Sequence, residues 1–385
     1  MRHRILFLLR RLDLNDGVSS HLYTLVSGLR AHGHETLIIT GKLTGQNLMT
    51  DRLRMFNESG GLLVSNGKGG INNIIRMIFS ARGLGFSPTI IHAHGGSSAV
   101  AGRIASIINR CGLVTTFHNP NSDNAVGIKR WFKSKFIRYV LGGHFVAISS
   151  DFYRKITQDY RISPRYAHLI YNGVDHRIFS VPDIESKRKA RQRFKVDDAA
   201  SLVVTLPGRL EFFKGHTLLI DAVRDLRASG EKIICLFPGS GPDDQAIREY
   251  ALESAEDHYQ FRFTGQLADL QSIFFASDIA VLPSEYEGFG LVIAEAMLCG
   301  CVPIRTPAGG ARDQIEHGVN GFIVPFNDSK AIATSIRALF DSQLRTRLSE
   351  AAVEKARRQF VAEVMLEATL RSYDIAASRH GMSDV

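Results

Sequence analysis

The sequence predicts an α/β protein made of two doubly wound, Rossmann-like units facing a central cleft. Three observations carry this. Short apolar runs alternate with helix-period segments along nearly the whole chain, as expected of parallel strands covered by helices on both faces. The alternation breaks once, at residues 174–198, and then restarts. The chain has 385 residues, enough for two or three units of roughly 150 residues each.

In the first half, strands are predicted at residues 5–9, 36–40, 89–93, 113–116 and 145–148, and helices at 18–31, 71–84, 98–110 and 128–140. The strand segments are brief runs of apolar and β-branched residues. The helical ones repeat apolar residues every three or four positions. The break holds Pro182 and the charged run Lys187-Arg188-Lys189 and reads as the joint. Beyond it, strands are predicted at 202–206, 232–237, 260–264, 278–282 and 302–306, with helices at 217–228, 243–252, 267–276 and 291–299. A last helix at 360–377 is expected to cross back onto the first unit. The domains are therefore expected at 1–175 and 176–359, with 360–385 packed on the first.

Composition removes several classes. With 44% hydrophobic and 22% charged residues the chain is neither collagen-like, disordered nor a disulfide scaffold. Its longest apolar runs are strand-length, well short of the ~20 residues of a membrane span. The N-terminal run 5–9 is also shorter than a secretory core of about 7–15 residues, so it reads as a buried strand with no export signal. Four scattered cysteines (Cys111, Cys235, Cys299, Cys301) fit a reducing cytoplasm. Charge is uneven. Residues 1–190 hold 26 Lys/Arg against 11 Asp/Glu, net +15, while residues 191–385 hold 21 against 27, net −6. The basic half implies an anionic partner: a membrane surface, a nucleic acid or a phosphorylated substrate.

Open α/β sheets bind ligands outside the carboxyl ends of their strands, and the informative segments follow strands. Pro207-Gly208-Arg209-Leu210-Glu211-Phe212-Phe213-Lys214-Gly215 sets Arg209 and Lys214 five residues apart among glycines, a planar fork and a mobile point charge suited to a diphosphate. Pro238-Gly239-Ser240-Gly241 is a second glycine turn on the same edge. The segment Glu285-Tyr286-Glu287-Gly288-Phe289-Gly290-Leu291 turns into a helix whose free amides suit a phosphate. Glu295 lies inside that helix among apolar residues, where paired ribose hydroxyls would satisfy it.

Glu287 through Glu295 forms an E-x7-E element. Together with Gly208-Arg209…Lys214-Gly215, Phe263-Thr264-Gly265 and Thr306-Pro307-Ala308-Gly309-Gly310, it resembles the family 4 retaining glycosyltransferases of GT-B fold. The resemblance covers essentially the whole chain and is densest at 202–325. It implies that Arg209 and Lys214 neutralise the diphosphate of a nucleotide-sugar and that Glu287 binds the donor sugar's hydroxyls. The backbone of Gly288, Phe289, Gly290 and Leu291 would cradle the distal phosphate. Glu295 would bind the ribose, and Gly239, Gly265 and Leu267 would line the nucleotide pocket. From the first half, Asp16, Gly17 and Val18 resemble the family's glycine loop, although one of its usual two glycines is missing. His118 matches the active-site histidine beside the donor sugar. Asn172, in Asn172-Gly173-Val174-Asp175, matches the segment at the domain boundary.

The remaining histidines read as structural. His32-Gly33-His34 is a helix stop, and His94 of His92-Ala93-His94 could line the acceptor side. No third metal ligand is evident, so neither metal nor cofactor is expected. Cys299-Gly300-Cys301 reads as close packing. Trp131, Lys135 and Arg138 share one face of the basic segment 129–138, which suits an anionic lipid surface; no nucleic-acid motif accompanies it.

The expected activity is transfer of a sugar, with retention, from a nucleotide-diphosphate donor (UDP-sugar first, GDP-sugar second) to a saccharide or lipid-linked saccharide hydroxyl. Its expected place is the cytoplasm, peripheral on the membrane. The rivals are a nucleotide-sugar 2-epimerase, a phosphorylase and a non-catalytic basic binding protein. A Rossmann dehydrogenase is disfavoured because no G-x-G-x-x-G follows the first strand.

Overall fold

The computed structural model describes residues 2–14, 16–45, 61–64, 85–118, 136–196, 202–253 and 260–378, with single positions at 54, 56, 78, 79 and 83. The predicted helix at 71–84 falls largely outside these residues, as does 128–140 up to residue 135. The chain divides into two compact units, Met1–Gly173 with Ala362–Val385, and Val174–Val361.

Unit 1 is a parallel sheet of β1 (Arg4–Leu9), β2 (Glu35–Thr40), β3 (Leu62–Val64), β4 (Ile90–His94), β5 (Gly112–Phe117), β6 (His144–Ala147) and β7 (Ala167–Leu169), in the order β3-β2-β1-β4-β5-β6-β7. The order reverses between β1 and β4, which are paired neighbours. Successive side chains of β1 enter different cores: Leu6 and Leu8 one, Ile5, Phe7 and Leu9 the other. Both faces are apolar because helices cover both. α1 (Gly17–Ala31) and the C-terminal helix, Ala362–Ser378, contribute to the second core, where Leu366 lies against Gly28.

Unit 2 repeats the plan with β8 (Leu202–Thr205), β9 (Ile233–Pro238), β10 (Phe261–Gly265), β11 (Ile279–Leu282), β12 (Val302–Arg305) and β13 (Phe322–Ile323), ordered β10-β9-β8-β11-β12-β13 and all parallel. Its switch point lies between β8 and β11.

Two readings need correction. The expected joint contains a helix, Ile184–Arg193. Asp183 caps it, accepting from Ser186 N at 2.7 Å. Lys187 Nζ and an Arg191 Nη reach the two carboxylate oxygens of Asp278 at 2.9 and 2.8 Å, tying the helix to the start of β11. Of the charged run, Arg188 and Lys189 lie on the solvated side of this helix and Lys187 faces Asp278. The helix expected at 267–276 begins only at Gln271, because the Asp269 carboxylate accepts from Ser272 N at 3.2 Å and stops it there. Residues 307–359, which the sequence left unassigned, hold β13 and helices Ser329–Ala338 and Ser342–Gln359.

Candidate functional site

In parallel sheets all carboxyl ends lie on one edge, so the segments after β8, β9, β11 and β12 gather at the same edge of unit 2. They are bound to one another by the backbone. Gly208 N donates to Pro238 O at 3.1 Å, Glu285 N to Phe213 O at 2.8 Å and Gly310 N to Gly288 O at 3.0 Å. Gly239 is indispensable to this. Its φ is +141°, and a Cβ there would lie 1.8 Å from the Gly208 carbonyl oxygen. The close approach that this glycine permits is that of a neighbouring loop.

Across the switch point, Lys214 Nζ meets Glu287 Oε2 at 2.8 Å, both side chains 17% exposed. The ammonium also lies 5.4 Å from the centre of the Phe213 ring. Arg209 pairs with Glu211 Oε1 at 2.6 Å but is 62% exposed. Its exposure leaves the Arg209 guanidinium within reach of another anion. Glu287 Oε1 accepts from Gly288 N at 3.2 Å. The helix Leu291–Leu298 starts at Gly290 (φ +79°), and Glu295 is buried in its second turn. Gly265 ends β10 with its carbonyl accepting from Gly239 N at 2.8 Å, and Leu267 is half-buried in the following turn. Phe289 has its ring in the core, 5.4 Å from that of Phe360, leaving only its backbone for a ligand.

The sequence reading missed the group that shapes this loop. Arg305, the last residue of β12, is 1% exposed. Its guanidinium donates to Phe289 O at 3.0 Å, to Ala308 O at 3.1 Å and to the Gln314 side chain. Gln314 in turn donates to Gly290 O at 3.1 Å. A Cβ on Gly290 would sit 2.8 Å from the guanidinium. Burial lowers the Arg305 pKa to about 10, so the group is still a cation at neutral pH. The only signal was a charge ending the apolar strand Val302-Pro303-Ile304-Arg305.

In unit 1 the expected site residues are of another kind. Asp16 caps α1, accepting from Ser19 N at 2.8 Å, and burial raises its pKa. Gly17 and Val18 open that helix. Asn172 is buried with its Oδ1 unpartnered. His118 follows β5. Its Nε2 lies 2.7 Å from Nδ1 of His94, the rings stacked 5.0 Å apart. His21, on α1, lies 5.1 Å from the His118 ring. No local pattern joins His21 to this pair. Burial depresses all three, His21 to about 4 and the others well below the ordinary imidazole value. His92 is held by Tyr373 Oη at 2.6 Å and Thr116 Oγ1 at 2.7 Å. Of the basic segment, Trp131 and Lys135 lie outside the described residues. Arg138 belongs to a short π-helix, Phe136–Leu141. Among the described residues no helix is long and apolar enough to cross a membrane.

The comparisons agree with this anatomy. The family model for "Glycosyltransferase Family 4" matches residues 15–177, and that for "Glycosyl transferases group 1" matches 186–359. The alpha-maltose-1-phosphate synthase of Mycobacterium tuberculosis is 24% identical over 308 residues, 74% of this chain and 78% of that protein. The mannosylfructose-phosphate synthase of Agrobacterium fabrum is 30% identical over 221 residues, 53% of this chain and 47% of that one. Among solved structures, a glycosyltransferase from Rickettsia africae superposes with a TM-score of 0.81 at 20% identity, covering 97% of this chain and 99% of its own. The Anabaena protein HepE, solved in complex with UDP, gives 0.80 at 22%, covering 96% and 99%.

Proposed function

We propose that this chain, which belongs to the family 4 glycosyltransferases of GT-B fold, moves a sugar from a nucleotide-diphosphate donor to an acceptor hydroxyl with retention at the anomeric carbon. One observation carries the reading. Lys214 and Glu287 meet at 2.8 Å across the switch point of unit 2, where doubly wound sheets take nucleotides. The UDP held by HepE favours UDP-sugar as donor.

The barrier is departure of a diphosphate from an oxocarbenium-like centre. Arg209 and Lys214 meet the leaving charge, and the free amides at the start of helix Leu291–Leu298 add to them. Lys214 is held by Glu287 before the reaction, so its charge needs little reorganisation during it. Glu287 has one oxygen committed to Lys214 and offers acceptor capacity to sugar hydroxyls. Glu295 serves the ribose and His118 the donor sugar. None of these steps calls for a divalent cation. The acceptor is a saccharide or a lipid-linked saccharide, consistent with the +15 balance of residues 1–190.

Arg209→Ala should lower turnover of the nucleotide-sugar by about 10²-fold, the usual cost of one charge-stabilising donor. Near-wild-type turnover would count against the assignment. Free nucleotide released only when an acceptor hydroxyl is present separates transfer from 2-epimerisation. Attachment to an anionic membrane predicts co-sedimentation with phosphatidylglycerol vesicles that weakens as salt rises; indifference to lipid and salt removes that part.

A further inference from the structure

The three imidazoles at the switch point of unit 1 are unusual as a group. His21 is 5% exposed, yet neither of its ring nitrogens has a hydrogen-bond partner. His94 is 6% exposed and its Nε2 is likewise unpartnered. A neutral imidazole carries one N–H and one lone pair. Leaving these unused in a dry interior is costly. One nitrogen from each of His21, His94 and His118 lies within 4.8 Å of the other two, the one such group of His, Cys, Asp or Glu among the described residues.

We propose that His21, His94 and His118 form a three-imidazole site for a divalent first-row transition ion, Zn2+ foremost. Three nitrogens at Zn–N distances of about 2.0–2.1 Å sit roughly 3.3 Å apart, so side-chain rotations on the order of 1 Å close the present triangle. Burial favours the uncharged rings, which keeps lone pairs available at neutral pH. His92, stacked 4.5 Å from His94 and pinned by Thr116 and Tyr373, holds the His94 ring in place. His118 is only partly buried and leaves the fourth position for water. The four thiols are buried, and burial raises their pKa values, so they compete poorly.

An ion there withdraws His118 from the donor sugar, so the site acts as an inhibitory one. That consequence rests on the transferase reading; the binding does not. The test is a titration of untagged, chelator-treated full-length protein with Co2+ and Zn2+, followed by cobalt absorption and calorimetry. One equivalent should bind, His21→Gln should weaken binding by about tenfold or more, and the Zn2+ concentration that inhibits transfer should rise in parallel. X-ray absorption on the zinc-loaded wild type, which needs no variant, should show three imidazole nitrogens. No stoichiometric binding, sulfur in the first shell, or binding unchanged by His21→Gln would overturn the proposal. Intact cobalt binding in a protein that transfers no sugar would sink the function and leave the site standing.

Discussion

The switch point of unit 1 is lined with uncharged imidazoles. That of unit 2 is lined with a lysine and a carboxylate, with a fully buried arginine beneath them. The sheets follow one plan, and both reverse strand order at the place where these side chains gather. The difference shows what each half asks of its interior. Unit 2 keeps permanent charge, compensated by Glu287 for Lys214 and by three oxygen acceptors for Arg305. Such charge stays in place at neutral pH. Unit 1 keeps groups that are neutral at pH 7 and open to protonation or coordination.

The largest expected effect tests the buried cation. Arg305→Met should destabilise unit 2 by about 3–5 kcal/mol, because the carbonyls of Phe289 and Ala308 and the Gln314 side chain lose their donor. Denaturant unfolding measures it, and a loss under about 1 kcal/mol would mean that the glycine loops hold themselves. Acid comes next and should act on unit 1. His21 titrates near 4 when folded and at about 6.5 when unfolded. Between these values the unfolded chain binds more protons, so stability is lost as pH falls through that window, by about 3 kcal/mol for His21 at pH 4. His92, lowered to about 3, adds to it, whereas among the described residues of unit 2 His216 is the one histidine so depressed, to about 4. Hydrogen exchange with chelator present should show unit 1 opening first; simultaneous opening would break the contrast. The smallest effect concerns the helix missed at the joint. Asp183→Ala should lower the melting temperature slightly, through loss of its cap. No change would mean that the ties to Asp278 alone hold the helix.

The two wound units were legible because strand and helix periods are local signals. So were the loops, since each keeps its glycines and charges within ten residues. Arg305 was not legible, because its partners, Phe289 O and Gln314, are set by how two loops fold over each other. His21 was missed because only the sheet order brings α1 beside the ends of β4 and β5. The helix Ile184–Arg193 was read as a joint because its polar surface hides the apolar period. Asp183 followed by Glu185 and Arg188 was the available cue.

The most direct measurement is calorimetric titration of wild type and Lys214→Ala with UDP-glucose, followed by assay of UDP release with a saccharide acceptor. Saturable binding that weakens at least about tenfold in the variant is expected, with release of UDP that requires the acceptor. Equal binding by both proteins, or none by either across UDP- and GDP-sugars, would contradict that expectation.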